Sequence, residues 1–282
     1  MRLVWNNFCL DFTQRTYIMG ILNITPDSFS DSGLHFDKSE AVDHALRMAD
    51  EGADIIDIGG ESTRPGSDPV TVEEELRRII PVIAGLATQI NIPLSVDTYK
   101  AEVAKRALDA GASIVNDISG MRFDPEMPEV VSDYKVPVIL MHTKGNPNVM
   151  QVNPAYEALI PEIIDYLRMS IKLAAKFGIP EDRIIIDPGI VFGKTLDHNL
   201  EIINNLQKFT ILDKPLLVGP SRKAFLGKIL GGAPVSERLE ATAAAVAISI
   251  MKGANLIRVH DVKEMAKVAK VADAIKREKV TV

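Results

Sequence analysis

Cysteine is nearly absent from this sequence: among 282 residues there is one, Cys9, so no disulfide can close within the chain. A lone thiol suits a reducing compartment. One cysteine cannot build a thiolate cage, and the five histidines, His35, His44, His142, His198 and His260, form no H-x-x-x-H or H-E-x-x-H pair. A transition-metal centre is therefore not expected. Neither G-x-G-x-x-G nor G-x-x-x-x-G-K-[ST] occurs, which removes the usual sequence marks of a dinucleotide fold and of a P-loop. Ser62 and Ser221 lack the glycine two residues on that would complete the G-x-S-x-G of a nucleophile elbow, so covalent hydrolase chemistry is not expected. Lysine and arginine form no long block and the net charge is −6, which argues against a general nucleic-acid footprint. Long apolar runs are missing as well. Ala241 to Met251 carries Thr242 and Ser249 and falls short of the roughly 20 residues a membrane span needs. Met1 to Gln14 alternates apolar and polar residues without the apolar core of a signal peptide. The expectation is a cytoplasmic protein with no membrane partner.

What the chain does have is alternation. Short β-rich runs recur about eight times between longer helix-patterned segments: Tyr17–Asn23, Ala53–Gly59, Pro93–Asp97, Ser113–Asp117, Val136–Met141, Arg183–Asp187, Pro215–Gly219 and Asn255–His260. Most are continuous apolar runs, such as Ile184-Ile185-Ile186, which indicates strands buried on both faces in a parallel sheet covered by helices. Helix patterns occupy Ser39–Glu51, Val72–Gln89, Ala101–Ala110, Tyr156–Phe177, Ser236–Lys252 and Lys263–Lys276. Glycines at 52, 111 and 253 each end a helix pattern just before a strand, the short αβ connection repeated in place. No shift in composition marks a linker. The pattern predicts an α/β fold, a single (β/α)8 TIM barrel over residues 17–282, preceded by an arm of residues 1–16 to which the sequence assigns no role.

In a barrel of this kind, function collects where strands end. Those ends deliver Asn23, Asp57, Asp97, Asn116 with Asp117, Met141 with His142, Asp187, Ser221-Arg222-Lys223, and Arg258 with His260. Exposure at a strand end explains any single aspartate, but it explains eight polar ends on one rim poorly. Arg64, Arg222, Lys223, Arg258 and His260 point to an anionic substrate group such as a phosphate. Asp97 and Asp187 suit a ring with adjacent N–H donors, because a carboxylate accepts two parallel hydrogen bonds. A magnesium ion carried on a diphosphate and held by an Asn or Asp oxygen fits this rim better than a soft metal. Asp54, Asp117 and Asp261 fit equally well as caps or salt-bridge members.

At this point two long segments, Gly20-Ile21-Leu22-Asn23-Ile24-Thr25-Pro26-Asp27-Ser28-Phe29-Ser30-Asp31 and Gly52-Ala53-Asp54-Ile55-Ile56-Asp57-Ile58-Gly59-Gly60-Glu61-Ser62-Thr63-Arg64-Pro65-Gly66, resemble the signatures of the dihydropteroate synthases. Ser95-Val96-Asp97-Thr98, Val115-Asn116-Asp117, Ile186-Asp187-Pro188-Gly189, Ser221-Arg222-Lys223 and Arg258-Val259-His260-Asp261-Val262 follow in the family's order. The resemblance implies a transferase of folate biosynthesis that joins (7,8-dihydropterin-6-yl)methyl diphosphate to 4-aminobenzoate. It implies that Asp97, Asn116, Asp187 and Lys223 hydrogen-bond the pterin, that Arg258 stacks on it, and that Ile118, Met141 and Phe192 wall it. Asn23, Thr63, Arg64, Arg258 and His260 would hold the diphosphate, with Asn23 on Mg2+. Phe29, Pro65, Ser221 and Lys223 would frame the 4-aminobenzoate pocket, and Asp31 would sit near the reacting methylene. Asn23, Asp31, Arg64 and Lys223 would serve catalysis.

The family pattern is departed from at Val191, where a glycine is common, at Ala224, where some relatives carry serine, and slightly in His142-Thr143-Lys144-Gly145. Family membership also implies a homodimer through late helices such as Ser236–Lys252, and sensitivity to sulfonamides. A pterin-dependent methyltransferase on a similar barrel would share the pterin-contacting Asp and Asn residues. It would have no need of a diphosphate-binding rim, so Thr63-Arg64, Ser221-Arg222-Lys223 and Arg258-Val259-His260 argue against it. A barrel that binds folate without catalysis is disfavoured by the presence of Asn23, Asp31 and Arg64.

Overall fold

The computed structural model describes residues 1–25, 38–62, 67–145 and 150–279. The order of its elements follows the alternation in the sequence. Two short strands, β1 (Arg2–Trp5) and β2 (Phe8–Asp11), pair as an antiparallel hairpin. Eight parallel strands then follow: β3 (Tyr17–Asn23), β4 (Ile55–Gly59), β5 (Leu94–Asp97), β6 (Ile114–Asp117), β7 (Val138–Met141), β8 (Ile184–Asp187), β9 (Leu217–Val218) and β10 (Leu256–Val259). They are ordered β8-β7-β6-β5-β4-β3-β10-β9, and a parallel bridge between Ile186 and Leu216 closes the ring. The fold is a TIM barrel.

Helices α1 (Lys38–Asp50), α2 (Val72–Leu86), α3 (Ala101–Asp109), α4 (Met127–Tyr134), α5 (Leu159–Lys176), α6 (Leu196–Asn204), α7 (Ala224–Ile229), α8 (Leu239–Met251) and α9 (Val262–Arg277) surround it. Most of the strands start one or two residues later than the sequence pattern predicts. Leu216 shows why for β9: its N–H donates at 2.9 Å to the Asn255 side chain, and Pro215 has no N–H to give. The sequence pattern did not reveal α4, α6 and α7, which are short. The opening of α6 is a capping box in which His198, rather than Glu or Gln, answers Thr195. The helix expected from Tyr156 begins at Leu159, because the Glu162 carboxylate accepts from the N–H groups of Glu157 and Ala158 and caps it there.

Two apolar layers form because strand side chains alternate between faces. Residues such as Leu22, Ile56, Val96, Val115 and Leu140 face outward to the helices. Met19, Ile55, Ile114, Ile139, Ile185, Leu217 and Leu256 face inward and fill the barrel floor together with Leu3, Trp5, Leu10 and Phe12. The arm without a role in the sequence is thus a plug beneath the barrel. Trp5 is 1% exposed, its ring 5.4 Å from that of Phe8. Asp54 also finds a structural role, pairing with Arg15 at 2.8 Å and accepting from Ile18 N.

Candidate active site

Counting two residues on from each floor position gives the next layer inside the barrel. Ile55 leads to Asp57, Ile114 to Asn116, Ile139 to Met141, Ile185 to Asp187 and Leu256 to Arg258, while Asp97 faces in from β5. One inward parity therefore gathers these side chains, polar except for Met141, above an apolar floor. Asp57, Asp97, Asn116 and Asp187 are all buried. Arg258 bridges the layer: its Nε donates to Asp57 at 2.6 Å and its Nη2 to Asp97 at 2.6 Å. Asn116 Nδ2 donates to the same Asp57 oxygen at 3.0 Å.

The remaining Oδ1 atoms of Asp57 and Asp97 are buried without a hydrogen-bond partner among the described residues. Buried acceptors left in this state are costly unless a ligand satisfies them. Burial pushes the Asp97 carboxyl up to about 7, with Arg258 pulling it down and Asp57 adding to the rise. Burial also raises Asp187, against the pull of Lys223. It lowers the Lys223 ammonium to about 8, with Asp187 opposing. Three buried carboxyls and two half-buried cations make a well suited to a neutral ring that donates several hydrogen bonds.

An apolar patch of Ile118, Met141, Met150 and Phe192, with Tyr99 and Val191 against it, forms one side of this well. Lys223 reaches it from the start of α7, its Nζ 2.7 Å from the Ile190 carbonyl and 5.0 Å from the centre of the Phe192 ring. The segment after β8 turns sharply. Gly189 and Gly193 have φ of +72° and +68°, and Val191 between them has φ of +70°. A left-handed conformation costs a β-branched residue about 1–2 kcal/mol, which explains why glycine suits position 191 better. Asp187 Oδ1 and Asn199 Oδ1 hold the turn by accepting from the N–H groups of Gly189 and Val191, each at 2.7 Å.

At the mouth, Asn23 ends β3 beside Gly59. The Ser221 hydroxyl lies 3.0 Å from His260 Nδ1 and accepts from His260 N at 3.1 Å. Arg222, counted from the sequence among the cations of the mouth, is instead committed to Asp261, with its Nε at 2.9 Å from the carboxylate. Asp117 is a loop cap, accepting from Ser119 N and Met121 N. Phe29, Asp31, Thr63, Arg64 and Pro65 lie outside the described residues.

The structure thus brings together Asp97, Asn116, Ile118, Met141, Asp187, Phe192, Lys223 and Arg258, with Asn23, Ser221 and His260 placed at the ends of β3 and β9 and just past β10. Sequence reasoning left Asp57 on the rim without a role. The signal that could have found it was parity, two residues past the floor residue Ile55. It also missed a pair formed by His142 and Lys194 behind the apolar wall. No group of three or more His, Cys, Asp or Glu able to hold a metal occurs among the described residues, and no helix among them is long and apolar enough to cross a membrane.

Compared with known proteins, the sequence matches the pterin binding enzyme family over residues 19–260. It is similar to the dihydropteroate synthase of a Synechocystis strain, with 49% identity over 267 residues, 95% of this chain and 92% of the relative. The fold is similar to that of Yersinia pestis dihydropteroate synthase in a sulfonamide drug complex, with a TM-score of 0.93, 41% identity and coverage of 98% and 100% of the two chains. It is likewise similar to Xanthomonas albilineans dihydropteroate synthase in complex with 7,8-dihydropteroate, with a TM-score of 0.88, 40% identity and coverage of 98% and 99%.

Proposed function

This chain belongs to the pterin-binding enzymes and, among them, to the dihydropteroate synthases, and from that membership we propose how its barrel carries out the reaction. The enzyme is a transferase of folate synthesis. It joins (7,8-dihydropterin-6-yl)methyl diphosphate to 4-aminobenzoate, giving 7,8-dihydropteroate and diphosphate. The observation that carries the structural reading is the buried layer in which Arg258 is clamped between Asp57 and Asp97 beside unpartnered carboxylate oxygens.

In this reading Asp97, Asn116, Asp187 and Lys223 hydrogen-bond the pterin ring, Arg258 offers it a flat cation held in place by two carboxylates, and Ile118, Met141 and Phe192 pack against it. Asn23, Thr63, Arg64, Arg258 and His260 hold the diphosphate at the mouth. Phe29, Pro65, Ser221 and Lys223 frame 4-aminobenzoate, and Asp31 faces the methylene.

The methylene C–O bond breaks, its electron pair leaves with diphosphate, and the arylamine lone pair forms the new C–N bond while its proton passes to water. An arylamine is neutral at pH 7 and needs little general-base help, so the chain's contribution falls on the departing group. Cations fixed before the reaction stabilise the charge as it develops there. Carboxylates in the well offset positive charge on the pterin, and no covalent enzyme intermediate is required.

Asn23 supplies a neutral oxygen at the barrel mouth, a donor that suits a hydrated Mg2+ arriving on the diphosphate rather than an all-protein cage. When bound, Mg2+ neutralises charge on the leaving diphosphate. The same reading places the enzyme in the cytoplasm, where a lone exposed Cys9 stays reduced, with small-molecule substrates and no nucleic-acid or membrane partner. It also makes the chain a homodimer. The test is diphosphate release by purified protein given the pterin substrate and Mg2+, with and without 4-aminobenzoate. Release that depends on the arylamine and yields dihydropteroate is expected, and Arg64→Ala should lower kcat/KM roughly a hundredfold. Pterin binding without turnover would instead favour the methyltransferase or binding-protein reading.

A further inference from the structure

Behind the apolar wall of the well lies a lysine that the reaction does not call for. Lys194 is 2% exposed. Its Nζ donates to the Phe192 carbonyl at 2.9 Å and lies 2.8 Å from His142 Nδ1. A charged ammonium buried in this way would need a carboxylate or several acceptors around it. Burial instead holds Lys194 well below its ordinary value, and burial together with Lys194 lowers His142 to about 2. Burial thus favours the uncharged form of each group, and the two nitrogens share a hydrogen bond.

The pair spans a contact that is already tight. A Cβ at Gly189 would fall 1.9 Å from the His142 carbonyl oxygen, and one at Gly193 would fall 2.7 Å from the Lys144 Cβ. The turn after β8 therefore presses backbone to backbone on the exit of β7. His142 is itself fixed on two sides. Its N–H donates to the Asp187 carbonyl at 2.9 Å, and the Tyr166 ring meets it edge-on at 4.7 Å. A rigid imidazole thus aims Lys194, and Lys194 holds the carbonyl of the one aromatic residue in the Ile118–Met141–Met150–Phe192 wall.

We infer that Lys194 is a positioning residue for the pterin, acting through Phe192: anchored by His142, it fixes the backbone that sets the Phe192 ring against the bound pterin. This rests on the pterin-binding reading of the well. Lys223 takes the neighbouring Ile190 carbonyl at 2.7 Å, Gln151 donates to the Val191 carbonyl and Tyr156 Oη to the Gly193 carbonyl at 2.8 Å, so two of the turn's donors are lysines, one lining the well and one behind it. Each carbonyl in the turn has its own donor, and removing one lets the ring drift without emptying the well.

The inference is tested by calorimetric binding of the pterin diphosphate substrate, without 4-aminobenzoate, to the full chain and to variants. Lys194→Met keeps the volume and removes the donor. It should weaken pterin binding roughly tenfold, because a ring left free to move must be ordered again when the pterin binds, while KM for 4-aminobenzoate stays within about twofold. In a Phe192→Ala background the same substitution should cost less than about twofold, because the ring it positions is gone. Equal losses in the two backgrounds, or unchanged pterin affinity in the first, overturn the inference, since a lysine that only stabilises the fold would not know whether Phe192 is present. If Lys194→Met does not fold, His142→Phe keeps the ring packing on Tyr166 and removes Nδ1. Pterin affinity should then fall roughly threefold, and unchanged affinity overturns the inference. Wild-type turnover is measured on the same preparations. An inactive wild type counts against the synthase reading, whereas an active one with additive losses counts only against the role of Lys194.

Discussion

Asp97 and Lys223 carry opposite charges in one well, and burial shifts both toward neutrality, the carboxyl up to about 7 and the ammonium down to about 8. A pterin edge that donates hydrogen bonds needs Asp97 as carboxylate, and the ring carbonyl and the anion above need Lys223 as ammonium. Below about pH 7 Asp97 takes up a proton and its second acceptor is lost. Above about pH 8 Lys223 loses its charge. The expected outcome is a narrow bell for kcat/KM with limbs near those two values, since this ratio reports the free enzyme. A flat profile from pH 6 to 9 would mean that neither group titrates where burial places it. Asp57 belongs to the same argument. By holding Arg258 Nε and Asn116 Nδ2 on a single oxygen, it grips the guanidinium on the side opposite Asp97.

The hairpin β1–β2 answers to a different demand. A ring of eight strands filled by Met19, Ile55, Ile114, Ile139, Ile185, Leu217 and Leu256 would leave its lower end open to water, and Leu3, Trp5, Leu10 and Phe12 cover it. Trp5→Ala should then destabilise the protein by about 3–5 kcal/mol, as large aromatic truncations in a core do, lowering the urea midpoint. KM for both substrates should change less than about twofold, because the plug lies at the opposite end of the strands from the polar layer. A stable Trp5→Ala protein would show that the floor closes without the arm. The segment after β8 tolerates Val191 at φ of +70° because Asn199 and two flanking glycines hold the backbone around it.

At the scale of the whole molecule, α8 and α9 pack on one another and leave apolar side chains in water. Ile248 and Met251 on α8 are 48% and 47% exposed, and Val271 and Ile275 on α9 are 61% and 63% exposed. Exposed apolar residues on neighbouring helices suit an interaction surface, and the homodimer proposed above would seat a second copy of the chain on it symmetrically. Light scattering should give twice the chain mass for the wild type. Val271→Asp together with Ile275→Asp should give a monomer that keeps its fold, because neither side chain is buried within the chain. A double variant that still runs at twice the mass would place the interface elsewhere.

The sequence by itself determined the alternation, the parallel barrel, the polar strand ends and the family. These depend on local pattern: apolar runs of strand length, glycines that stop helices, and segments whose wording is specific. It did not determine which residues of each strand look inward. When helices cover the outside, both faces of a strand are apolar, so the period of two leaves no mark until the ring closes. Closure brought Asp57 under Arg258, 201 residues away in sequence, and His142 against Lys194, 52 residues away. It turned Arg222 to Asp261 rather than to the mouth. It also gave the first strands a place, since an amphipathic hairpin has no burial of its own until a barrel floor exists for it to cover.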